Sequence, residues 1–434
     1  MNFKQFLNQF FITHNCFLLS LPQIYHFIIL NRMKKTFLIK LGIMMFMQYL
    51  LFAVWWVSFA AYLNNLPFIE SKQMGLLLSS MAIGSMAAPL VGVIADRYIS
   101  SEKLLAGLNL LVALFLFLAT QQTSFIGLMI TVTLAMLCYM PSWSLTSSIA
   151  MTHISSEQFP RIRILGSIGW VASGLFSLAA FYLFNIQAFD GTVLPLYCAV
   201  GTAVVAALLN LFLPKTPPTA DRSAKYSIAD IFGLKVISTL KSANFNKFIL
   251  LTFLTVIPFT LFYNYGSLFL QDENFKYITV TMNWRQVAEL FFLFITTACL
   301  LKFGYKNTLL FGLFALLLQY LALYLGVVIG QQWLYYLGIL PHALIFGLFF
   351  IAGQVYTDKV VPQEFKAQAQ GFLSFVTWGV GILVGNLIWS WMTNNFRVDD
   401  HANWSLLFAM ASVTTAVMIV LFLLLFKNPS TKQS

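Results

Sequence analysis

The sequence predicts an all-α integral membrane protein whose twelve transmembrane helices form two six-helix halves. Three observations support this prediction: a scarcity of charge, a series of long apolar runs, and one central polar stretch. Charged residues make up only 9% of the 434 residues, hydrophobic residues make up 59%, and the mean hydropathy is +0.81. A soluble domain carries about 25% charged residues. Water cannot solvate a surface of this composition, so most of that surface must face lipid.

The apolar runs have the length and period of membrane-spanning helices. A spanning helix needs about 20 predominantly apolar residues, and the period-two alternation of outer-membrane barrels is rare in this sequence. The predicted spans are 40–63, 73–95, 104–120, 125–148, 164–184, 193–213, 246–270, 284–302, 307–328, 333–356, 368–390 and 403–426.

The longest polar stretch, from Pro214 to Lys247, separates the sixth span from the seventh. Six spans on either side of such a linker is the layout of the major facilitator fold, whose substrate site lies between the halves. We therefore divide the chain into five parts: an N-terminal extension (1–32), a first half (33–213), a cytoplasmic linker (214–245), a second half (246–426) and a cytoplasmic tail (427–434).

The N-terminal extension fits this scheme poorly. It is apolar but interrupted by Asn15, Pro22 and Gln23, and it lacks the charged region and cleavage site of a secretory signal. We interpret it as a start-site artefact, with Met33 as the natural first residue. A helix lying on the membrane surface is the alternative interpretation.

Basic residues indicate the orientation of the chain. From Lys34 onward the predicted cytoplasmic segments hold 19 Lys and Arg, whereas the opposite loops hold three, Lys72, Lys276 and Arg397. This bias predicts that both termini lie in the cytoplasm. It also argues against nucleic-acid binding despite the net charge of +11, because the basic residues lie in connections between apolar spans. The predicted partners are membrane lipid and a small-molecule substrate.

Motifs of membrane enzymes and channels are absent from the sequence. There is no G-x-x-x-x-G-K-[ST] nucleotide loop and no H-E-x-x-H zinc motif. The paired Asp399 and Asp400 lie in a predicted external loop, not on the cytoplasmic side that a prenyl-transfer enzyme would need. No glycine-rich filter repeat is present, and the four cysteines lack metal-ligand spacing. We therefore expect neither an enzyme nor a metal site.

Five short motifs lie along the chain: G-V-I-A-D-R from Gly92, F-P-R-I-R-I-L-G-S-I-G-W from Phe159, Q-V-A-E from Gln286, G-Q-V-Y from Gly353 and A-Q-A-Q-G from Ala367. Together they resemble the nucleoside:proton symporter family of the major facilitator superfamily. The resemblance implies import of nucleosides across a bacterial inner membrane by proton symport with alternating access, with the proton gradient as energy source and no cofactor. A proton-coupled sugar or polyol permease and a non-transporting membrane sensor are the alternatives.

The resemblance also assigns positions within the site. It places Ser167, Thr260, Tyr263 and Asn264 among the substrate-binding residues. The family's aspartate in span ten is replaced by Gly347. The resemblance further gives a gating role to the loop motif Gly92, Asp96 and Arg97, where we expect the glycine to allow close helix approach and the aspartate to lie at a helix N-terminus.

Glu289 is the main candidate for proton coupling. A carboxylate within a span costs about 2.5–3.5 kcal/mol on insertion scales, so its retention points to a function. The alternative is a structural ion pair with Arg285, which lies four residues earlier on the same helix face. His342 is a second candidate proton carrier, since its ordinary pKa lies near 6.5. A neutral hydrogen-bonding histidine is the alternative for that residue.

Candidate substrate contacts combine polar and aromatic side chains. Gln286 can donate to and accept from a nucleobase or a ribose, or it can simply bond to another helix. The resemblance gives Arg163 a substrate or gating role, and lipid anchoring is the alternative. The resemblance places Trp170 and Phe346 at the cavity, where they would stack on a base or a sugar, and packing is the alternative for both.

The charge bias generates a direct test of topology. A reporter that works only in the cytoplasm is expected to be active when it is fused after Ser434, because 19 basic residues flank the predicted inner ends of the spans. Paired phosphatase and fluorescent-protein fusions measure this. A C-terminus that scores as external would contradict the predicted architecture.

Overall fold

The computed structural model describes residues 36–154, 159–218, 242–362, 366–398 and 401–427, and nearly all of them are helical. The N-terminal extension and most of the linker lie outside the described residues. The helices are α1 (Thr36–Asn64), α2 (Ser71–Arg97), α3 (Ser101–Thr120), α4 (Phe125–His153), α5 (Phe159–Ala172 continued by Gly174–Phe184), α6 (Leu194–Asn210), α7 (Ala243–Asp272), α8 and α9 (together Ile278–Ile329), α10 (Gln332–Val360), α11 (Ala369–Asn395) and α12 (Trp404–Leu425). Two short strands, β1 (Arg397–Val398) and β2 (His401–Ala402), pair between α11 and α12.

A helix lies at each of the twelve predicted positions within these ranges. Among the described residues, ten helical runs are long and apolar enough to cross a membrane, and one of them, Ile295–Ile329, joins the end of α8 to α9. A shorter apolar helix, α6, adds to these. The run Ile278–Ile329 is divided at Gly304, whose φ of +72° lies in the left-handed region that favours glycine. We take the part before Gly304 as α8 and the part after it as α9. Six helical segments thus lie on each side of the linker, while the crossing of all twelve stays a prediction.

The outer faces of the helices carry large apolar side chains, as contact with lipid requires. On α3, for example, Leu110, Leu111, Leu114 and Phe117 are all between 42% and 52% exposed. In a water-soluble protein such a continuous apolar face would be covered by another element. This distribution confirms a multi-pass membrane protein.

A buried polar network holds the first half together. Gln48 on α1 donates from Nε2 to Ser142 Oγ on α4 (2.5 Å) and to Asn109 Oδ1 on α3 (3.4 Å), and Asn109 Nδ2 donates back to Gln48 Oε1 (3.1 Å). Trp55 and Trp56 are at most 5% exposed and pack among neighbouring aromatic rings. These residues therefore form the core of the first half.

The loop motif at the end of α2 lies differently from the sequence expectation. Asp96 and Arg97 belong to the last turn of α2, so Asp96 lies at a helix C-terminus. A Cβ built on Gly92 would meet no heavy atom within 4 Å, so this glycine makes no close helix contact. Both structural expectations were wrong. Helix α2 continues through the motif and ends after Asp96, and Gly92 has no neighbouring helix close to it. The gating role of Gly92, Asp96 and Arg97 stays a prediction.

Hydrogen bonds between the two halves are concentrated at the end of the bundle opposite the termini. Gly75 N donates to Ser390 Oγ (3.1 Å), Arg397 donates to Ser71 Oγ (2.8 Å), and Gln271 Nε2 donates to Asn65 Oδ1 (2.9 Å). We call these contacts, together with those of Asp190, the outer closure. The predicted topology places the outer closure on the external side.

Asp190 is the most buried acid of the outer closure. It lies in the turn Phe189–Gly191 of the first half and is 2% exposed. Thr279, in the first turn of α8, donates to it from its hydroxyl (2.5 Å) and from its backbone N–H (3.2 Å), and Ser177 Oγ also donates (3.1 Å). Burial raises the pKa of Asp190, and the bonds from Thr279 and Ser177 oppose that rise. A carboxylate of one half thus caps a helix of the other half.

Removal of this cap should loosen the outer closure. Asp190→Ala would leave buried donors of Thr279 and Ser177 without an acceptor, at a cost of about 1–3 kcal/mol to the closed form. The readout is labelling by an impermeant maleimide of a cysteine introduced at Leu268, which is buried and lines the outer end of the bundle. We expect faster labelling.

Asp190→Asn is the matched control, because an amide oxygen can still accept from Thr279. Its labelling rate should lie between those of the parent and the alanine variant. Equal rates in all three proteins would show that Asp190 does not hold the halves together.

Candidate functional site at the interface of the two halves

α8 carries a polar face in an otherwise apolar segment. Asn283, Gln286 and Glu289 recur at intervals of three residues, which places them on one side of the helix, and Arg285 lies four residues before Glu289. Asn283 Nδ2 donates to Ser173 Oγ (3.1 Å) and to the Val171 carbonyl oxygen (3.3 Å), so this face packs on the break between the two parts of α5. The polar side of α8 therefore points at the first half.

Gln286 links the predicted acid to the first half. Its Nε2 donates to Glu289 Oε2 (2.5 Å) and lies 3.4 Å from Ser167 Oγ on α5. The guanidinium groups of Arg163 and Arg285 both act electrostatically on the Glu289 carboxylate. Arg163 lies over the Tyr49 ring, 4.2 Å from its centre. The structure thus brings Arg163, Ser167, Gln286 and Glu289 together.

Arg285 does not form the ion pair with Glu289 that the sequence offered as an alternative. In the described residues no salt bridge joins these two side chains. Arg285 is 3% exposed and lies over the rings of Tyr263 and Trp170, at 5.4 and 5.9 Å from their centres. Its guanidinium therefore bridges the second half and the first.

Aromatic side chains continue the site into the second half. His342 stacks on Phe259 (5.3 Å between ring centres) and on Tyr263 (6.0 Å). Phe346 lies 6.3 Å from Trp378, which also contacts Tyr263 at 5.8 Å. We call the following residues the central cluster: Tyr49, Arg163, Ser167, Trp170, Tyr263, Arg285, Gln286, Glu289, His342, Phe346 and Trp378.

Thr260 and Asn264 are directed elsewhere. Thr260 is fully buried, its hydroxyl donates to the Val256 carbonyl (2.7 Å), and its side chain packs against Gly385 of α11. Asn264 Nδ2 donates to Asn386 Oδ1, also on α11 (2.7 Å). In this structure both side chains hold α7 to α11, and their role in substrate binding stays a prediction.

Residues 33–431 match the family described as nucleoside H+ symporter. The chain belongs to the nucleoside H+ symporter family. The Escherichia coli K12 protein YegT is 30% identical over 90% of this chain and 93% of its own length. The nucleoside permease NupG of the same strain is 24% identical over 90% of this chain and 96% of NupG.

Solved structures show the same fold for this symporter-family chain. A crystal structure of a variant of the nucleoside transporter NupG covers 90% of this chain and all of NupG, with a TM-score of 0.82 and 22% identity. A partially occluded, inward-open structure of the Escherichia coli xylose transporter XylE covers 92% of this chain with a TM-score of 0.67 and 11% identity. These matches confirm the major facilitator fold, and with the family they identify a transporter, not an enzyme.

The sequence analysis missed several residues in or beside the central cluster. Tyr49 lies beneath Arg163 and stacks on Trp143 (5.6 Å between ring centres, 7° between planes), and Asn283 holds α8 to α5. With aromatic residues at 16% of the chain, no local pattern distinguishes such rings from packing residues. Asn283 carried a detectable signal, because it shares the three-residue spacing of Gln286 and Glu289.

Removal of the Gln286 amide should weaken substrate binding. Gln286→Ala strips hydrogen-bonding partners from Glu289, from Ser167 and from any ligand they contact, at an expected cost of about 1–3 kcal/mol. Apparent affinity from uptake into proteoliposomes measures the effect. Gln332→Ala, on an exposed glutamine at the start of α10, is the matched control. Unchanged apparent affinity in Gln286→Ala would remove this residue from the site.

Proposed function

We propose that this chain imports nucleosides together with protons by exposing the central cluster alternately to the two sides of the membrane. The observation that carries the proposal is Glu289, the single acidic residue of the sequence within a predicted span. It lies where both halves contribute side chains, bonded to Gln286 and flanked by Arg163 and Arg285. Rocking of the halves about such a site would change its access.

The position of Gly347 supports Glu289 as the coupling acid. A Cβ built on Gly347 would lie 2.5 Å from Thr296 Oγ1, so α10 packs closely on α8 at the place where the family's aspartate is expected. A second carboxylate at this position would therefore require the Thr296 side chain to move. Glu289, with His342 as a further titratable group nearby, is then the proposed proton carrier.

The side chains of the central cluster suit a nucleoside. The half-buried rings of Phe346 and Trp378 offer surfaces to a base, and Gln286 and Ser167 offer donors and acceptors to hydroxyl groups. One proton entering at about 150 mV contributes about 3.5 kcal/mol, which supports a gradient of a few hundredfold. The proposal therefore includes no cofactor beyond the proton gradient, and it includes an inner-membrane location with both termini in the cytoplasm.

Uptake of labelled uridine into proteoliposomes tests this function. An imposed inward proton gradient should drive accumulation, a protonophore should abolish it, and adenosine or xanthosine should compete where hexoses do not. Competition by hexoses alone would favour a sugar permease. Binding of nucleosides without uptake would indicate a sensor.

Glu289→Gln should abolish accumulation driven by the proton gradient. The amide keeps the shape and the bond to Gln286 but cannot carry a proton. Exchange of labelled for unlabelled substrate should survive, since exchange need not release the proton. His342→Ala should slow turnover or shift the pH optimum while accumulation persists.

Asp358→Asn is the matched control, because Asp358 lies near the end of α10 in an exposed pair with Lys366. It should accumulate substrate as the parent does. If Glu289→Gln also concentrates substrate to the parental level, the coupling group lies elsewhere.

A further inference from the structure

Two buried N–H donors of the central cluster lack an acceptor. Arg285 Nη1 and Trp170 Nε1 have no hydrogen-bond partner in the part of the chain that the structure describes, and the two side chains are 3% and 6% exposed. Most buried polar atoms in proteins are hydrogen-bonded, and a buried donor left alone destabilises the structure. Two such donors in one place call for a ligand that accepts.

The two donors belong to side chains that lie close together between the halves. The Arg285 guanidinium carbon lies 5.9 Å from the centre of the Trp170 ring. The Trp170 ring also meets Phe52 at 5.6 Å and 64°, and Phe52 belongs to the core of the first half. Because Arg285 and Phe52 already lie against the ring, Trp170 is poorly placed to stack on a base. It can still present its indole N–H.

The charges around these donors also favour a ligand that accepts hydrogen bonds. Arg163 and Arg285 contribute two positive charges, Glu289 contributes at most one negative charge, and Gln286 donates to Glu289. His342 Nδ1 is a further buried atom of the central cluster without a partner among the described residues, and it donates or accepts according to its tautomer. The two N–H donors and the excess of positive charge favour an edge of the substrate that carries carbonyl oxygen or ring nitrogen lone pairs. They disfavour an exocyclic amino group, which is itself a donor.

We infer that Arg285 and Trp170 read the base of the substrate and select nucleosides whose base presents a carbonyl oxygen. The inference rests on the proposed function. A 6-oxopurine offers O6 and N7 as two acceptors, and a 4-oxopyrimidine offers O4, whereas adenine and cytosine place an amino donor at the same position. Arginine is well suited to such an edge because its planar fork donates two parallel bonds.

Matched pairs of nucleosides test the inference on the full chain in proteoliposomes. Inosine and adenosine differ at position 6 of the purine, and uridine and cytidine differ at position 4 of the pyrimidine. Their competition constants against labelled uridine exchange give two preference ratios. For the parent we expect the carbonyl member of each pair to bind about tenfold to a hundredfold more tightly.

Two variants assign the preference to these donors. Arg285→Met keeps most of the length and removes the donors, so both ratios should fall to about threefold or less. Trp170→Phe keeps a ring against Phe52 and removes only the indole N–H, so the ratios should fall in part. Lys276→Met, on an exposed loop lysine, is the control and should keep the parental ratios.

The outcomes separate this inference from the proposed function. Equal binding of both members of each pair by the parent would overturn the inference while nucleoside transport stands. Full preference retained in both Arg285→Met and Trp170→Phe would also overturn it. If no nucleoside competes at all, the proposed function itself fails. Should Arg285→Met fail to fold, the parental ratios and Trp170→Phe decide.

Discussion

Burial of charged and polar side chains in a membrane protein constrains this structure more than any other interaction. Lipid cannot hydrogen-bond to Arg285, Gln286 or Glu289, and each charge facing hydrocarbon costs several kcal/mol. These side chains must therefore turn inward, and the interface of the two halves is the place where they find Ser167, Trp170 and Tyr263. The orientation of α8, and with it the packing of α5 and α7, follows from this requirement.

α8 joins the central cluster to the outer closure. Thr279, at its start, bonds to Asp190, Asn283 bonds to α5 one turn later, and Glu289 lies ten residues beyond Thr279, about 15 Å along the helix axis. Opening of the bundle toward the external side must break the hydrogen bonds that Thr279 and Asn283 make to the first half. A change at Gln286 or Glu289 acts on the same helix as the Thr279 bond, so the proposed substrate and proton groups are mechanically connected to the outer closure.

Apolar length predicted the positions of the helices, and isolated polar residues within a span pointed to Gln286 and Glu289, because both are properties of local sequence. The resemblance to the family supplied most other predicted members of the central cluster, such as Ser167 and Tyr263. The direction of each side chain was harder to predict. Thr260 and Asn264 lie beside Tyr263 in sequence, yet only Tyr263 reaches the cluster, since neighbouring residues on a helix point in different directions. Asp96 was misplaced because helix α2 runs past its apolar segment. Asp190 sits in a loop, where no periodicity marks a partner on another helix.

The interiors of the two halves differ in their polar bonds and in the type of helix they contain. In the first half, Gln48 ties α1, α3 and α4 through directional bonds that cannot slip without leaving buried amides unpaired. In the second half, α10 and α11 each contain a π-helical segment, Phe346–Ile351 and Phe375–Gly381, and these meet where Phe350 lies 5.4 Å from Trp378. Such segments weaken the regular helical ladder and often accompany functional sites. The π-helical backbone therefore lies in the half that carries Glu289 and His342, next to the rings of the central cluster.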